Sequence, residues 1–517
     1  MKILRRNFLT TMIGTCALPT LSAFARESSR LHSVSHRALA SDPRRPQYHL
    51  LPAANWMNDP NGPIYWKGNY HMFYQCNPKG AYWGDMHWGH AVSKDMVHWK
   101  HLPVALSPTP AGPDADGCFT GTSVIRDGKV FVFYTGVHAA AEDQATIKDG
   151  AHSLRERQCL ATSEDIELRT WTKLTAPVIE APPSGMQVNG FRDPSPWRLG
   201  DWWYTVLGSG IANRGGAVLL YRSRDLRSWE YMHTLAARND TGAGAFNPFD
   251  PWEVWECPEF FALGSRHVLI FSTGGRAYWQ SGLLDPETMK FHPEHAGILD
   301  YGSYYAPKTQ LDKSGNRIIW GWITETRPLE EYKAAGWAGL MSLPRVLSLG
   351  SDGRLRMHVA TEVNQLRGRE QTLTVTTNEE VTQQKIDAMR VQGCCGEILC
   401  TIQRSAEPFE LVLRASAGNS TPWLAIEYDP LHPGQISIDA RPLPLALGNR
   451  ENIELHLYID GSVIEVFVNQ QIARTKRFYF AGNSSQDLRM QWKCKTTDIV
   501  NLTVWELTPI SADRLTT

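Results

Sequence analysis

Residues 55–75, NWMNDPNGPIYWKGNYHMFYQ, decide how this chain folds. The first half carries Asp59-Pro60-Asn61-Gly62, and Asp-Pro and Asn-Gly are turn signals in any protein. The second half, from Asn69, is a strand-like run that follows a polar turn. Asp59 therefore has two readings: a turn former, or a carboxylate that a turn aims. The flanking residues alone favour the first, so the rest of the chain must decide.

Strand-like runs resembling GNYHMFYQ recur in DGKVFVFYTG, GDWWYTVLG, GSRHVLIFSTGG and SGNRIIWGW, beginning near Asn69, Lys129, Asp201, His267 and Arg317. A second signal follows the first three: SKDMVHW (93–99), SEDIELRTW (163–171) and SRDLRSW (223–229), read as a turn leading into a strand that ends on Trp. Five β-rich units of roughly 50–70 residues predict a five-bladed propeller over 45–350, the stretch 336–349 serving as closing strand and exit. Counting back from each run reaches WMNDPNG, CFTGTSV, FRDPSPW, WECPEFF and YYAPKTQ at the same phase of every unit. In a propeller that place is the innermost strand, lining the central channel. Asp59 is then a carboxylate aimed into a funnel by a strand that ends sharply at the turn.

From residue 365 to 512 the pattern changes to short alternating strands. In IELHLYI, Ile453, Leu455, Leu457 and Ile459 share one face, and Asp460-Gly461 supplies a hairpin turn. This predicts a C-terminal β-sandwich without a dense polar constellation. The expected fold class is all-β.

The 52 basic and 53 acidic residues nearly cancel across 517, so the charge balance gives no footprint for nucleic acid. The start, MKILRRNFLTTMIGTCALPTLSAFARESS, places Arg5 and Arg6 before a short apolar run and an Ala23-Phe24-Ala25 cleavage pattern. It reads as a twin-arginine export signal over 1–25, with the mature protein periplasmic or secreted. No other stretch approaches the ~18 apolar residues of a membrane span. Of nine Cys, none forms a C-x-x-C pair or zinc spacing; buried thiols are expected, with disulfides left open.

The funnel gathers Asp59, Asp193 and Glu256. Glycoside hydrolysis needs a protonated acid for the leaving oxygen and an ionised carboxylate near the anomeric carbon. A third carboxylate can bind hydroxyls and steady positive charge in the transition state. Arg192 is expected to keep its neighbour Asp193 ionised. Glu256, between Trp255 and Cys257-Pro258, is expected in apolar surroundings that suit a proton donor. Trp56, Trp83 and Trp255 are candidates for an aromatic wall or for core packing. Three carboxylates also suit a hard cation, but no D-x-D-x-D loop is present and no metal is expected.

WMNDPNG, FRDP and WECP, in this order, resemble the signature motifs of glycoside hydrolase family 32. FYQ (73–75), WGDMHWGHAVSKDMVHW, YAPKTQLDKSGNRIIWGW and IDGSVIEVF resemble further blocks of that family. The resemblance covers nearly the whole chain after the signal. It implies a five-bladed propeller followed by a β-sandwich, and retaining release of terminal β-fructofuranosyl residues from sucrose or fructans without a cofactor. It implies Asp59 as nucleophile, Glu256 as acid/base and Asp193 as transition-state stabiliser together with Arg192. Asn58, Gln75, Trp83, Phe119 and Thr120 are implied to shape the fructose pocket, with Trp56 beside them. Ala277 falls near the place where plant-type invertases carry an Asp that helps bind glucose. Sucrose and fructans therefore both stay open, as do a fructosyltransferase and a fructan-binding protein without catalysis.

Overall fold

The computed structural model describes residues 34–148, 153–238, 253–376, 378–404, 407–416, 421–448, 451–480, 487–493 and 495–512. The expected signal, 1–25, lies outside the described residues. Five sheets follow one another along the chain, antiparallel except where Trp337–Ala338 joins the first in parallel. Blade I is Asn55–Trp66, Asn69–Asn77, His87–Ser93 and Trp99–Leu106. Blade II begins with Gly117–Arg126, Lys129–Ala139 and Ser153–Ser163; blade III is Val188–Leu199, Trp202–Ile211, Gly215–Ser223 and Glu230–Ala237. Blade IV is Glu256–Leu263, Arg266–Thr273, Arg276–Leu284 and Phe291–Ile298. Blade V is Tyr305–Leu311, Arg317–Ile323, Arg345–Leu349 and Leu355–Val359. The first strand of each blade touches the first strand of the next, and the fifth returns to the first, closing the five-bladed propeller. Because Leu355–Val359 pairs with Arg345–Leu349, the fifth blade runs past the expected boundary at residue 350.

The five inner strands share one irregularity. The ladder skips a residue between Met57 and Pro60, Cys118 and Gly121, Arg192 and Ser195, Glu256 and Glu259, and Tyr305 and Lys308. These are β-bulges, which re-aim side chains and kink a strand. Proline cannot donate to the ladder and is confined to edges and bulges, which accounts for Pro60, Pro194, Pro258 and Pro307 at this place in four blades. In blade II Gly121 takes the position of Pro60, and a Cβ there would lie 1.8 Å from the carbonyl oxygen of Phe133. Asp59-Pro60 is thus no turn: the strand Asn55–Trp66 runs through it, and the bulge does the aiming.

The Ser-x-Asp…Trp signal also has a different place from the one expected. It forms the turn between third and fourth strands, and Trp99 opens an outer strand instead of ending one. Asp95, Asp165 and Asp225 accept backbone N–H bonds within their turns. The indoles of Trp99, Trp171 and Trp229 donate to the carbonyls of Met96, Leu168 and Leu226 at 3.0, 2.8 and 3.3 Å. Those three residues have φ of 64°, 54° and 66°, so one left-handed turn is built three times.

Two six-stranded sheets form the C-terminal sandwich. Ile453, Leu455, Leu457 and Ile459 all face its core, as their alternation predicts. The sandwich is not free of polar clusters, against the sequence reading. Asp460 accepts backbone N–H bonds from Gln47, Tyr48 and His49, and His49 Nδ1 at 2.8 Å. Glu465 meets His49 Nε2 at 2.9 Å and Arg345 at 2.6 Å. Arg345 also holds Asp300 at 2.9 Å, and Thr475 donates to Asp300 at 2.7 Å. All of these side chains are buried, and they join propeller to sandwich.

Candidate active site

The bulged inner strands of blades I, III and IV carry Asp59, Asp193 and Glu256, and the Cys257 thiol that follows Glu256 touches the other two. Asp59 and Asp193 are fully buried, and Glu256 keeps 5% exposure. Asp59 sits in a closed ring of hydrogen bonds. Asn58 Nδ2 donates to Asp59 Oδ1 at 3.0 Å and to Gln75 Oε1 at 3.3 Å. Gln75 Nε2 donates to Thr120 Oγ1 at 2.9 Å, and Thr120 donates to Asp59 Oδ2 at 2.6 Å. Neutral donors therefore fix both oxygens and orient the carboxyl group. Four residues singled out in the sequence, Asn58, Asp59, Gln75 and Thr120, make one rigid unit.

Asp193 has φ 62° and Cys257 φ 50°, left-handed values that are uncommon outside glycine. Such strain is held only where surroundings impose it. Here the backbone N–H of Asp193 donates to Thr135 Oγ1 at 2.9 Å, while the N–H of Cys257 donates to Asp193 Oδ2 at 2.8 Å. The Cys257 sulfur lies 3.4 Å from both Asp59 Oδ2 and Asp193 Oδ2. One thiol thus touches two of the carboxylates, a role that its position in WECP did not suggest.

Glu256 is bound by polar groups, contrary to the apolar setting expected from its chain neighbours. Tyr305 Oη donates to its Oε2 at 2.6 Å, and Arg192 Nε to its Oε1 at 3.3 Å. Trp255 turns away and stacks on Phe271 with ring centroids 3.9 Å apart. Arg192, expected to serve Asp193, places its guanidinium against Glu256 and Glu156. Tyr305 stands in the fifth inner strand at the register Glu256 occupies in the fourth, so the repeat itself was the signal that could have found it.

The aromatic candidates separate. Trp255 is buried between blades III and IV. Trp56, 1% exposed, packs on Trp322 and Tyr332 and donates to Asn58 Oδ1 at 2.7 Å, so it supports the pocket from behind. Trp83 and Phe119 are half-buried and meet edge to face at 6.0 Å. They are the candidates for a wall. Among the described residues no cluster of three or more His, Cys, Asp or Glu could hold a metal ion. None of the described helices is long and apolar enough to cross a membrane.

A carboxyl locked in place, a second on a hydrogen-bond path to it, and a third bearing a phenol and a guanidinium suit acid–base and nucleophilic chemistry at one carbon. Comparison with known proteins agrees with this reading. Residues 49–359 match the glycosyl hydrolases family 32 N-terminal domain, and residues 362–506 the family 32 C-terminal domain. The chain is 36% identical over 482 residues to sucrose-6-phosphate hydrolase of Escherichia coli, covering 87% of this chain and 94% of that one. It is 34% identical to raffinose invertase of Escherichia coli, covering 90% and 95%. Fructan 1-exohydrolase IIa of Cichorium intybus superposes with TM-score 0.74 at 26% identity, covering 90% of this chain and 98% of that chain; a variant of it was solved with 1-kestose. The propeller, the sandwich and the matched span agree: the chain belongs to glycoside hydrolase family 32.

Proposed function

We propose that this glycoside hydrolase releases terminal non-reducing β-D-fructofuranosyl residues from sucrose, fructans or both, with retention of configuration. The observation that carries this is the bulged inner strands that hold Asp59, Asp193 and Glu256, with the Cys257 thiol next to Glu256 touching both aspartates. Asp59 attacks the anomeric carbon while Glu256 protonates the departing oxygen, giving a fructosyl-enzyme. Glu256 then takes a proton from the incoming water, and the second displacement restores the configuration. Asp193, held by the Cys257 N–H, binds fructose hydroxyls and opposes the positive charge of the transition state. Trp83 and Phe119 border the sugar, and Asn58, Gln75 and Thr120 hold the nucleophile. The two Escherichia coli relatives are named for sucrose-6-phosphate and for raffinose, and the Cichorium neighbour for a fructan, which supports the substrate class. Sugar release from sucrose, inulin, levan and raffinose in parallel ranks the substrates. Product analysis at high sucrose separates hydrolysis from fructosyl transfer.

The roles are tested with β-fructosyl fluoride, whose leaving group needs no proton. Glu256→Ala should form the fructosyl-enzyme and hydrolyse it about 10²–10⁴-fold more slowly, with azide restoring turnover as β-fructosyl azide. Asp59→Ala should accumulate no intermediate. An intermediate in Asp59→Ala, or a folded Glu256→Ala indifferent to azide, would exchange or remove the roles. We also propose export through Arg5 and Arg6; a double Lys variant that leaves the cytoplasm normally would defeat that reading.

A further inference from the structure

We propose that Glu156 is a positioning residue that takes one edge of the Arg192 guanidinium and so lets Glu256 keep its proton into the working pH range. The proposal rests on the acid/base reading of Glu256 and adds a residue that the signature motifs do not contain.

Four consecutive blades each contribute one member of a chain of contacts. Glu156, on the third strand of blade II, is fully buried and pairs with Arg192 Nη1. Arg192, on the inner strand of blade III, passes its Nε to Glu256 of blade IV, and Tyr305 of blade V closes on the other oxygen of Glu256. Glu156 is itself locked. Its second oxygen accepts the N–H of Phe191 at 2.7 Å, and its own N–H donates to Thr146 Oγ1 at 3.0 Å. Its strand neighbours Arg155 and Arg157 both pair with Glu180 at 3.0 Å.

A guanidinium beside an acid catalyst is a problem for catalysis. A cation within hydrogen-bond reach favours the ionised carboxylate, whereas the first step needs the acid. Tyr305 also bonds Glu256, and the Cys257 thiol that follows Glu256 touches Asp193 and Asp59; on the same segment, Glu253 is matched by Arg238 at 2.7 Å. Glu156 adds the opposing charge on the far edge of Arg192. It lowers the positive field at Glu256 and repels a negative charge there, and both effects favour the proton. Arg192 can then orient Glu256 without ionising it.

The test is the pH profile of kcat/KM on sucrose for the full chain. Glu156→Gln keeps the size and the acceptor for Phe191 but removes the charge. The alkaline limb, where Glu256 loses its proton, should move down by about one pH unit, so that activity above it falls about tenfold against the parent. Glu156→Asp draws the charge back by one methylene and should move the limb the same way by less, which serves if the Gln variant does not fold. On β-fructosyl fluoride no displacement should appear. An unmoved limb in folded variants, or an equal displacement on the fluoride, would overturn the role of Glu156. If the parent itself keeps its alkaline limb on the fluoride, the assignment of Glu256 falls first and this proposal with it.

Discussion

Two regions of this molecule bury carboxylates gathered from distant parts of the chain, and they do so on opposite principles. At the seam between propeller and sandwich, Asp300, Asp460 and Glu465 interleave with Arg345 and His49. At the funnel floor, Asp59 and Asp193 meet at one thiol and take bonds from neutral donors, while Glu256 shares a guanidinium with Glu156. Buried opposite charges offset one another's desolvation when geometry is good. Like charges drawn together raise the energy of the resting protein and favour a ligand that carries positive charge. An oxocarbenium-like transition state is such a ligand. On the roles proposed above, the seam serves the resting state and the funnel a state that exists only during reaction.

The largest effects should break the funnel without harming the fold. Asp59→Ala should cost about 10⁴–10⁶-fold in kcat on the best substrate. Its denaturation midpoint should stay near that of the parent. A marked loss of stability would show that the funnel, too, serves the resting fold.

The converse should hold at the seam. Arg345→Ala strands Asp300 and Glu465 in the interior and should cost about 3–5 kcal/mol of stability in urea unfolding. Kinetics of the remaining folded enzyme should be unchanged. Equal losses of kcat and stability would erase the contrast between the regions.

A smaller effect comes from pH. Burial opposes protonation of His49, but hydrogen bonds to Asp460 and Glu465 overcome it and carry its pKa up to about 8. A raised pKa contributes stability that is fully present below the unfolded value near 6.5 and is lost as pH rises through 8. The shift corresponds to about 2 kcal/mol between pH 6 and 9, read from urea midpoints and absent in His49→Gln. On the acid side, burial opposes ionisation of Glu465, but Arg345 and His49 hold its pKa down to about 2. That share of stability is present above the unfolded value near 4.5 and fades as pH falls toward 2.

The smallest effect sharpens the funnel's edge. Trp83→Ala removes a half-buried ring and leaves Phe119, so kcat/KM on sucrose should fall by about 1 kcal/mol of transition-state binding, roughly fivefold. Unchanged kinetics on every fructoside would place Trp83 outside the pocket.

These contrasts were partly legible before any coordinates. The repeated strand runs place the second strands of all five blades within a residue or so, because turn-plus-strand patterns are local. The five polar motifs at one phase identify the inner strands for the same reason. The bulge was hidden, since Asp-Pro and Asn-Gly look alike whether a chain reverses or kinks. Partnerships were hidden as well. Arg192 precedes Asp193 but lies against Glu156 and Glu256, and Trp255 precedes Glu256 but stacks on Phe271. Adjacent residues in a strand project to opposite sides, so sequence neighbours make poor guides to contacts. Asp460 repeats the lesson in reverse: read as a hairpin former, it does precede a tight turn, yet its carboxylate ties down residues 47–49.

One feature of the ring bears on how the protein comes into being. The excursion of blade V sends Trp337–Ala338 back to pair, in parallel, with Asn55 and Trp56 at the start of blade I. Gly339 follows with φ +75°, and a Cβ there would lie 1.9 Å from the carbonyl oxygen of Met57. The strand that carries Asp59 is thus made well before the segment that completes it. Contacts between such distant segments close large loops and form slowly. Until the fifth blade arrives, the edge of the first offers unpaired backbone groups, the kind of surface on which nascent chains associate wrongly. Synthesis that stops short of residue 337 should yield chains that need the help of chaperones, whereas in the completed ring Asn55 and Trp56 of that edge are paired.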